Sequence, residues 1–271
     1  MSVRATAGAD GHRVGIVIPV KPFRDAKRRL APLLAPHERA VFARVMYLDV
    51  LTSITRGVAP ADVFVVTADP EAAVLATGML AQVVHEDAPA GMSEAVAVAA
   101  AQLVVDGYDG MLVIPADVPL ITVGDVHRVL ADTAAGTGTP ALASASMANA
   151  SYGSADDCTA GLPAIPAAVM LDQAVTIVPS GGDGGTNALC CPLPNAIPFC
   201  FGHDSARRHA QEAGACGLAA RILRLERVAL DIDKPADVAT LLAYAASTRS
   251  RAWLRGLDIQ ARLALHAGAA S

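Results

Sequence analysis

Short apolar runs rich in β-branched residues alternate along this chain with longer stretches in which apolar residues recur at helical spacing. This alternation is typical of βαβ units on a mainly parallel sheet, and it limits the possible folds more than any other feature of the sequence. The predicted strands are 14–20, 62–67, 82–85, 111–114 and 175–178, with two more near 222–225 and 228–232. The predicted helices are 36–54, 92–105, 123–131 and one that begins at Pro235, a residue type favoured in the first helical turn.

Two segments depart from this alternation. Residues 136–172 are rich in Ala, Ser, Gly and Asp with little periodicity, so we interpret them as an insertion or a mobile loop. Residues 247–271 indicate a C-terminal helical extension, whose leucines are available to dock on the body of the protein or on a second subunit in a homodimer. Residues 1–13 are a Gly/Ala-rich lead that we expect to be disordered, which leaves 14–246 as one domain.

Charge and hydropathy exclude several classes of function. The 271 residues have a net charge of −5 without basic blocks, so nucleic acid is not an expected partner. No apolar run approaches the roughly 20 residues of a membrane-spanning helix, and the N-terminus has no apolar secretion signal. We therefore expect no membrane attachment and a cytoplasmic location. The five cysteines are odd in number and form no C-x-x-C pair, which argues against a disulfide framework and a zinc site.

Candidate ligand-binding residues follow the predicted strands, because open α/β sheets bind ligands at the carboxyl ends of their strands. The first strand leads into residues 21–29, here called the cationic loop. Its five basic residues are Lys21, Arg24, Lys27, Arg28 and Arg29. No glycine pattern of a phosphate-binding loop is present, so these side chains would themselves hold a polyphosphate. A solvated basic loop is the competing interpretation, and composition alone leaves both open.

Acidic residues also follow predicted strands, at Asp69, at Asp117 and at the pair Asp231 and Asp233. A lone aspartate in such a place is usually a turn or helix-capping residue. Two clusters of carboxylates at different strand ends, together with the cationic loop, instead favour a phosphate site that depends on Mg²⁺.

Two later segments are suited to binding anions. Residues 184–187 offer backbone N–H groups, a hydroxyl and an amide, and residues 201–209 offer a glycine, a serine and cations at the start of a helix. His203 and His209 are six residues apart and do not share a helical face, so joint metal ligation is not expected. A structural or phosphate-contacting histidine is the favoured interpretation.

Six motifs, in this order and spacing, resemble the 2-phospho-L-lactate guanylyltransferase family, which includes the phosphoenolpyruvate guanylyltransferases of coenzyme F420 biosynthesis. They are Pro19-Val20-Lys21-Pro22 with Ala26-Lys27-x-Arg29-Leu30, Thr67-Ala68-Asp69-Pro70, Pro115-Ala116-Asp117-x-Pro119-Leu120, Gly185-Thr186-Asn187-Ala188-Leu189, Phe201-Gly202-x-x-Ser205-x-x-x-His209, and Leu230-Asp231-Ile232-Asp233-x-Pro235-x-Asp237. The resemblance covers residues 14–245. It implies a nucleotidyltransferase-type, Rossmann-like three-layer α/β sandwich with a mostly parallel mixed sheet.

The resemblance also implies an activity: transfer of GMP from GTP to a small phosphorylated three-carbon acid, with release of pyrophosphate. The acid would be phosphoenolpyruvate, 2-phospho-L-lactate or 3-phospho-D-glycerate, and the product would pass to the next transferase of the deazaflavin pathway. Mg²⁺ is the implied cofactor.

Roles for individual residues come from the same resemblance. The implied catalytic residues are Lys27, Asp117 and Asp233, and the implied metal ligands are Asp117, Asp231 and Asp233. The implied GTP-binding residues are Lys21, Lys27, Arg29, Thr67, Asp69, Gly91 and Ser93. The implied acceptor-binding residues are Thr186, Gly202 and Ser205.

The chain departs from the family pattern in three places. Met92 and Ser93 follow Gly91 where the family usually has Leu and Asn, Arg28 stands where a small residue is common, and the segment 136–172 is longer than usual. Because the loop at Gly91 is expected to face the nucleotide and the acceptor, these departures leave the choice of acid open.

Two alternatives remain: a related nucleotidyltransferase of different chemistry and a non-catalytic protein of another class. A molybdopterin cytidylyltransferase begins with a glycine-rich loop that this chain lacks after its first strand. A non-catalytic nucleotide-binding protein is the second alternative, and the presence of both carboxylate groups and the cationic loop argues against it.

Overall fold

A seven-stranded sheet forms the centre of the protein in the computed structural model, which describes residues 13–87, 91–134, 174–194 and 196–269. The strands are β1 (Val14–Val20), β2 (Val63–Thr67), β3 (Gln82–His85), β4 (Gly110–Val113), β5 (Ala174–Pro179), β6 (Thr186–Pro192) and β7 (Ala219–Ile222). Their order in the sheet is β3-β2-β1-β4-β6-β5-β7. Strand β6 runs antiparallel to both neighbours, and the other pairs are parallel. The predicted α/β fold with a mostly parallel mixed sheet is confirmed.

Helices cover both faces of this sheet. They are α1 (Pro36–Thr55), α2 (Pro70–Gly78), α3 (Met92–Val105), α4 (Val123–Ala134), α5 (Ser205–Ala215), α6 (Glu226–Ala229), α7 (Pro235–Ala243), α8 (Arg249–Arg255) and α9 (Ile259–Ala269). Alternate residues of β1 point to opposite faces, so Ile16 and Ile18 join a core with α1, α2 and α4, whereas Val17 joins a second core with α3 and α5. Two apolar cores separated by one sheet make three layers.

The C-terminal helices pack on the outer side of α1. Leu254 and Ile259 belong to a third apolar cluster with Phe42 and Met46, and the Trp253 ring stacks on Phe42 at a centroid distance of 5.6 Å. Within the described ranges, no helix is long and apolar enough to cross a membrane.

The predicted strand at 228–232 is wrong. Its first residues form the short helix α6, and Ile232 makes one backbone hydrogen bond to the carbonyl of Asp117, at 3.1 Å. Short apolar runs fit a buried helical turn as well as a strand, because both place such residues inside. Val228 and Ile232 are indeed fully buried.

Other elements also differ from expectation, among them helix α2, for which the sequence predicts no helix. The sequence predicts no strand at β6, whose buried Cys190 and Cys191 are not typical strand formers. Strand β7 lies earlier than the predicted 222–225. The single C-terminal helix is two helices separated at Asp258, whose φ of 51° breaks the helical path. The predicted insertion at 136–172 and lead at 1–13 lie outside the described residues, except for Arg13.

Candidate active site

The cationic loop is anchored to the neighbouring strand by side chains of β2 and its following turn. Thr67 Oγ1 donates to the Val20 carbonyl at 2.8 Å and accepts from Asp69 N at 2.9 Å. Asp69 uses one carboxylate oxygen to accept from Phe23 N and the other to cap α2 through Glu71 N. These contacts fix the start of the loop where parallel β1 and β2 end side by side.

Lys27 is the most constrained side chain of this loop. It lies between two short 3-10 turns with a left-handed φ of 55°, and its side chain is only 7% exposed. Its Nζ contacts Asp117 Oδ2 at 2.6 Å and Asp233 Oδ1 at 3.5 Å. Burial acts to lower the pKa of Lys27, but the charge and hydrogen bond of Asp117, followed by Asp233 and Asp231, outweigh burial and raise it. The amine is therefore a permanent cation among carboxylates.

The three carboxylates come from two loops that bond to each other. Asp117 follows β4, and the extended segment after α6 supplies Asp231 and Asp233. Arg29 donates to Asp233 Oδ2 at 2.9 Å. Burial raises the pKa of Asp231, and the nearby charge of Asp117 adds to this effect, whereas hydrogen bonds from Asn187 and Ser180 act in the opposite direction. Both of these bonds are 2.9 Å long and reach Asp231 Oδ1.

The sequence predicts an anion-binding role for the Asn187 amide and no site role for Ser180, whereas in the structure both side chains hold Asp231. Asn187 Nδ2 also donates to the Val228 carbonyl, so one amide ties β6 to both α6 and Asp231. The available signal was its place in the Gly-Thr-Asn motif, where alternate strand residues face opposite sides of a sheet.

A cleft of about 380 Å³ opens beside these groups. Of the predicted site residues, it is lined by Lys21, Lys27, Arg29, Gly91, Asp117 and Asp233. Glu86 and Met92 also line it, and burial raises the pKa of Glu86. A second cleft of about 350 Å³ lies against Asp231 and shares Arg29 and Asp233 with the first. The carboxylates therefore stand between two openings.

Three predicted GTP-binding residues are not on the cleft lining. Thr67 and Asp69 hold the cationic loop, as described above. Ser93 Oγ accepts from Phe201 N at 3.0 Å and thereby ties the start of α3 to the loop before α5. Gly91, immediately before α3, has a φ of 120°, a backbone conformation that L side chains rarely adopt, so this turn requires glycine.

The three predicted acceptor-binding residues lie together, apart from both cleft linings. Ser205 Oγ donates to Thr186 Oγ1 at 3.0 Å, and Gly202, with a φ of 120°, accepts from Ser205 N through its carbonyl. His209, one turn further along α5, contacts Thr186 Oγ1 at 3.0 Å. Ser205 and His209 are fully buried, whereas His203 is exposed.

The carboxylates offer only oxygen donors, the type that Mg²⁺ prefers. Among the residues that the structure describes, no three His, Cys, Asp or Glu side chains form a ready-made metal cage. The donor set therefore fits a cation that takes part of its coordination from a bound substrate.

Comparisons with known proteins agree with this architecture. The family model described as "Guanylyl transferase CofC like" matches residues 14–137 and 168–268. The chain is 33% identical to a phosphoenolpyruvate guanylyltransferase of Conexibacter woesei, over 87% of this chain and 90% of that protein. It is 27% identical to a 2-phospho-L-lactate guanylyltransferase of Methanothermobacter thermautotrophicus, covering 89% of each. It is 29% identical to a 3-phospho-D-glycerate guanylyltransferase of Colwellia psychrerythraea, over 84% of this chain and 91% of that one.

A solved structure is similar in fold. A protein from Desulfovibrio desulfuricans G20, described as a nucleotide-diphospho-sugar transferase, superposes with a TM-score of 0.65 at 16% identity, over 93% of this chain and 97% of that one.

Proposed function

This chain belongs to the family of CofC-like guanylyl transferases, and from that premise we propose that it transfers GMP from GTP to a small phosphorylated three-carbon acid, with release of pyrophosphate. The observation that carries the proposal is the buried Lys27 amine between Asp117 and Asp233. Lys27 lines a cleft to which Lys21 and Arg29 also contribute. Permanent cations next to carboxylates suit a polyphosphate that brings a metal with it.

GTP occupies the cleft of about 380 Å³ in this proposal. Lys21, Lys27 and Arg29 bind its phosphates, and Gly91 allows the backbone to approach the nucleotide. Thr67, Asp69 and Ser93 act on GTP through the loops that they hold, since their described contacts are to Val20, Phe23 and Phe201.

Mg²⁺ is the proposed cofactor, with Asp117, Asp231 and Asp233 as its ligands. Mg²⁺ sites usually combine one or two protein carboxylates with substrate phosphates and water. This fits the three aspartates, which among the described residues form no complete metal cage by themselves. When bound, the metal supplies positive charge to the phosphates during transfer.

The acceptor acid binds at Thr186, Gly202 and Ser205, where the Thr186 and Ser205 hydroxyls are hydrogen-bonded at the start of α5. The acid is phosphoenolpyruvate, 2-phospho-L-lactate or 3-phospho-D-glycerate, since relatives carry all three names. We place the reaction in coenzyme F420 biosynthesis, with hand-over of the product to the next transferase of the deazaflavin pathway.

The transfer itself needs no general base. An oxygen of the acceptor phosphate, already anionic at neutral pH, forms a bond to the α-phosphorus of GTP. The bond from that phosphorus to the oxygen that bridges to the β-phosphate breaks, and pyrophosphate leaves with the electron pair. The contribution of this chain is alignment of the two substrates together with the charges of Lys21, Lys27 and Arg29.

Pyrophosphate release tests the proposal. The purified protein is incubated with GTP and Mg²⁺ and with each of the three acids in turn, with GTP alone and CTP as controls. We expect release with GTP and at least one acid and none without an acid. GTP binding without release for any acid would instead favour the non-catalytic alternative, and faster release with CTP would favour a cytidylyltransferase.

A further inference from the structure

A chain of hydrogen bonds connects Cys200 and His209 to two of the acceptor-binding residues, Thr186 and Ser205. Cys200 N donates to His209 Nε2 at 3.0 Å, and His209 Nδ1 and Ser205 Oγ both lie 3.0 Å from Thr186 Oγ1. Ser205 and His209 are one helical turn apart on the buried face of α5, which turns both side chains toward Thr186 at the start of β6. The Phe201 ring meets the imidazole edge to face at a centroid distance of 4.8 Å.

The backbone fixes which nitrogen of His209 has the proton. An N–H group can only donate, so Nε2, which receives the bond from Cys200, must be the unprotonated nitrogen. In a neutral imidazole the proton is then on Nδ1, which donates to Thr186 Oγ1. Burial, followed by the charge of Arg208, lowers the pKa of His209 to about 4, so the ring is neutral at pH 7.

This tautomer determines the direction of the Thr186 hydroxyl. Thr186 Oγ1 accepts one proton from His209 and one from Ser205, which occupies both lone pairs of the hydroxyl oxygen. Its own proton has no acceptor within the part of the chain that the structure describes, and the side chain is 6% exposed. The opposite tautomer would set two N–H groups against each other at Cys200 and would draw the Thr186 proton inward.

We propose that His209 is a positioning residue that makes Thr186 a hydrogen-bond donor to the anionic acceptor acid. This inference rests on the proposed function, because it takes the acid as the ligand of Thr186. An anion binds donors and is repelled by lone pairs, so a Thr186 hydroxyl whose proton is not used within the protein can donate it to the acid, whereas one that donates its proton to His209 cannot.

Two substitutions of His209 each keep one of its two hydrogen bonds and remove the other. Asn at position 209 places an amide N–H near the Nδ1 position and retains the donor to Thr186. Gln places its carbonyl near the Nε2 position and retains the acceptor for Cys200. We expect His209→Gln to raise the KM for the acid about tenfold, with the KM for GTP unchanged, and His209→Asn to restore most of the wild-type KM.

A double variant tests whether His209 acts through Thr186. Thr186→Val removes the hydroxyl, so His209→Gln added to it should raise the KM for the acid no further. A full additional tenfold increase would mean that His209 acts on the fold independently of Thr186, and the proposal would be overturned. Equal KM values for the acid in wild type and His209→Gln would also overturn it.

A measurement on the unmodified protein keeps the proposal testable if the variants do not fold. Nitrogen-15 NMR of the histidine rings at pH 7 should show His209 protonated on Nδ1 and not on Nε2. Protonation on Nε2 would contradict the proposal. Wild-type pyrophosphate release, measured beside these experiments, separates a failure of this inference from a failure of the proposed function.

Discussion

At the scale of single residues, Lys27 connects the cationic loop to both carboxylate loops. A non-glycine residue with a φ of 55° is uncommon, and here this conformation directs the side chain inward to Asp117 and Asp233. The motif resemblance predicts site roles for all three residues. The sequence contained no sign that the amine is buried, because burial depends on loops that are far apart in the chain.

Asp117→Asn tests the proposed role of this carboxylate. Asn is close in shape and retains an oxygen that can accept from Lys27, so we expect cooperative unfolding to persist. We expect kcat to fall at least about 100-fold, because the negative charge that faces the amine and the proposed metal is lost. Rates of pyrophosphate release and denaturant unfolding curves would measure the two effects.

Asp106→Asn is the matched control for this substitution. Asp106 is exposed and contacts Gln102 at the end of α3, so its loss of charge should leave kcat within about twofold of wild type. Undiminished turnover in Asp117→Asn would show that the assignment of Asp117 is incorrect.

At the scale of elements, the cationic loop depends on the turn between β2 and α2. Asp69→Ala removes both the cap of α2 and the acceptor for Phe23 N. We expect a loss of about 1–2 kcal/mol in the free energy of unfolding and a higher KM for GTP, because the start of the loop is released. Glu71→Gln, in the first turn of the same helix, is the control, and it should change neither quantity appreciably. An unchanged KM for GTP in a destabilised Asp69→Ala protein would argue against this coupling.

The contact between α9 and α1 predicts a pH dependence of stability. Arg262 donates to both oxygens of Glu38, at 2.8 and 2.9 Å, and this bonding, helped by Ala35 N–H, lowers the pKa of Glu38 to about 2 against the opposing effect of burial. A carboxylate whose pKa is lowered by folding contributes its full stabilisation when the pH is above its ordinary pKa of 4.5. This contribution is lost as the pH falls toward 2.

Glu38→Gln should therefore be less stable than wild type at pH 7, and the difference should narrow between pH 4.5 and 2. Unfolding free energies measured across this range test the prediction. Glu71→Gln again serves as control. The Glu71 side chain is 55% exposed and that of its partner Arg44 is 41% exposed, so this ion pair should contribute little at any pH. A difference for Glu38→Gln that stays constant down to pH 2 would contradict the account.

Elements with a clear period or clear end signals were predictable from sequence. Strand β3 and helix α3 have the predicted bounds, and α1 begins at the predicted proline. Strand β6 and helix α6 were not predictable, because their short apolar runs acquire their identity from neighbours in the sheet and not from local pattern.

At the scale of the whole molecule, β6 joins the two parts of the proposed site. Thr186 faces α5 and its buried histidine, whereas Asn187 faces Asp231 and α6. The acceptor-binding residues and the carboxylates are thus held by adjacent residues of one strand. The sequence placed both groups in the site by resemblance alone, and it could not show how they connect, since the connection depends on the antiparallel strand that it missed.

We propose that this chain moves the GMP unit of GTP onto a phosphorylated three-carbon acid. The most direct measurement supplies GTP labelled at the α-phosphate, Mg²⁺, one of the three acids, the next transferase of the pathway and its deazaflavin acceptor. We predict that the label is released as GMP and that the matching deazaflavin conjugate forms with at least one acid, and only when this protein is present. Label that remains in GTP with all three acids, while GTP still binds to the protein, would contradict the account.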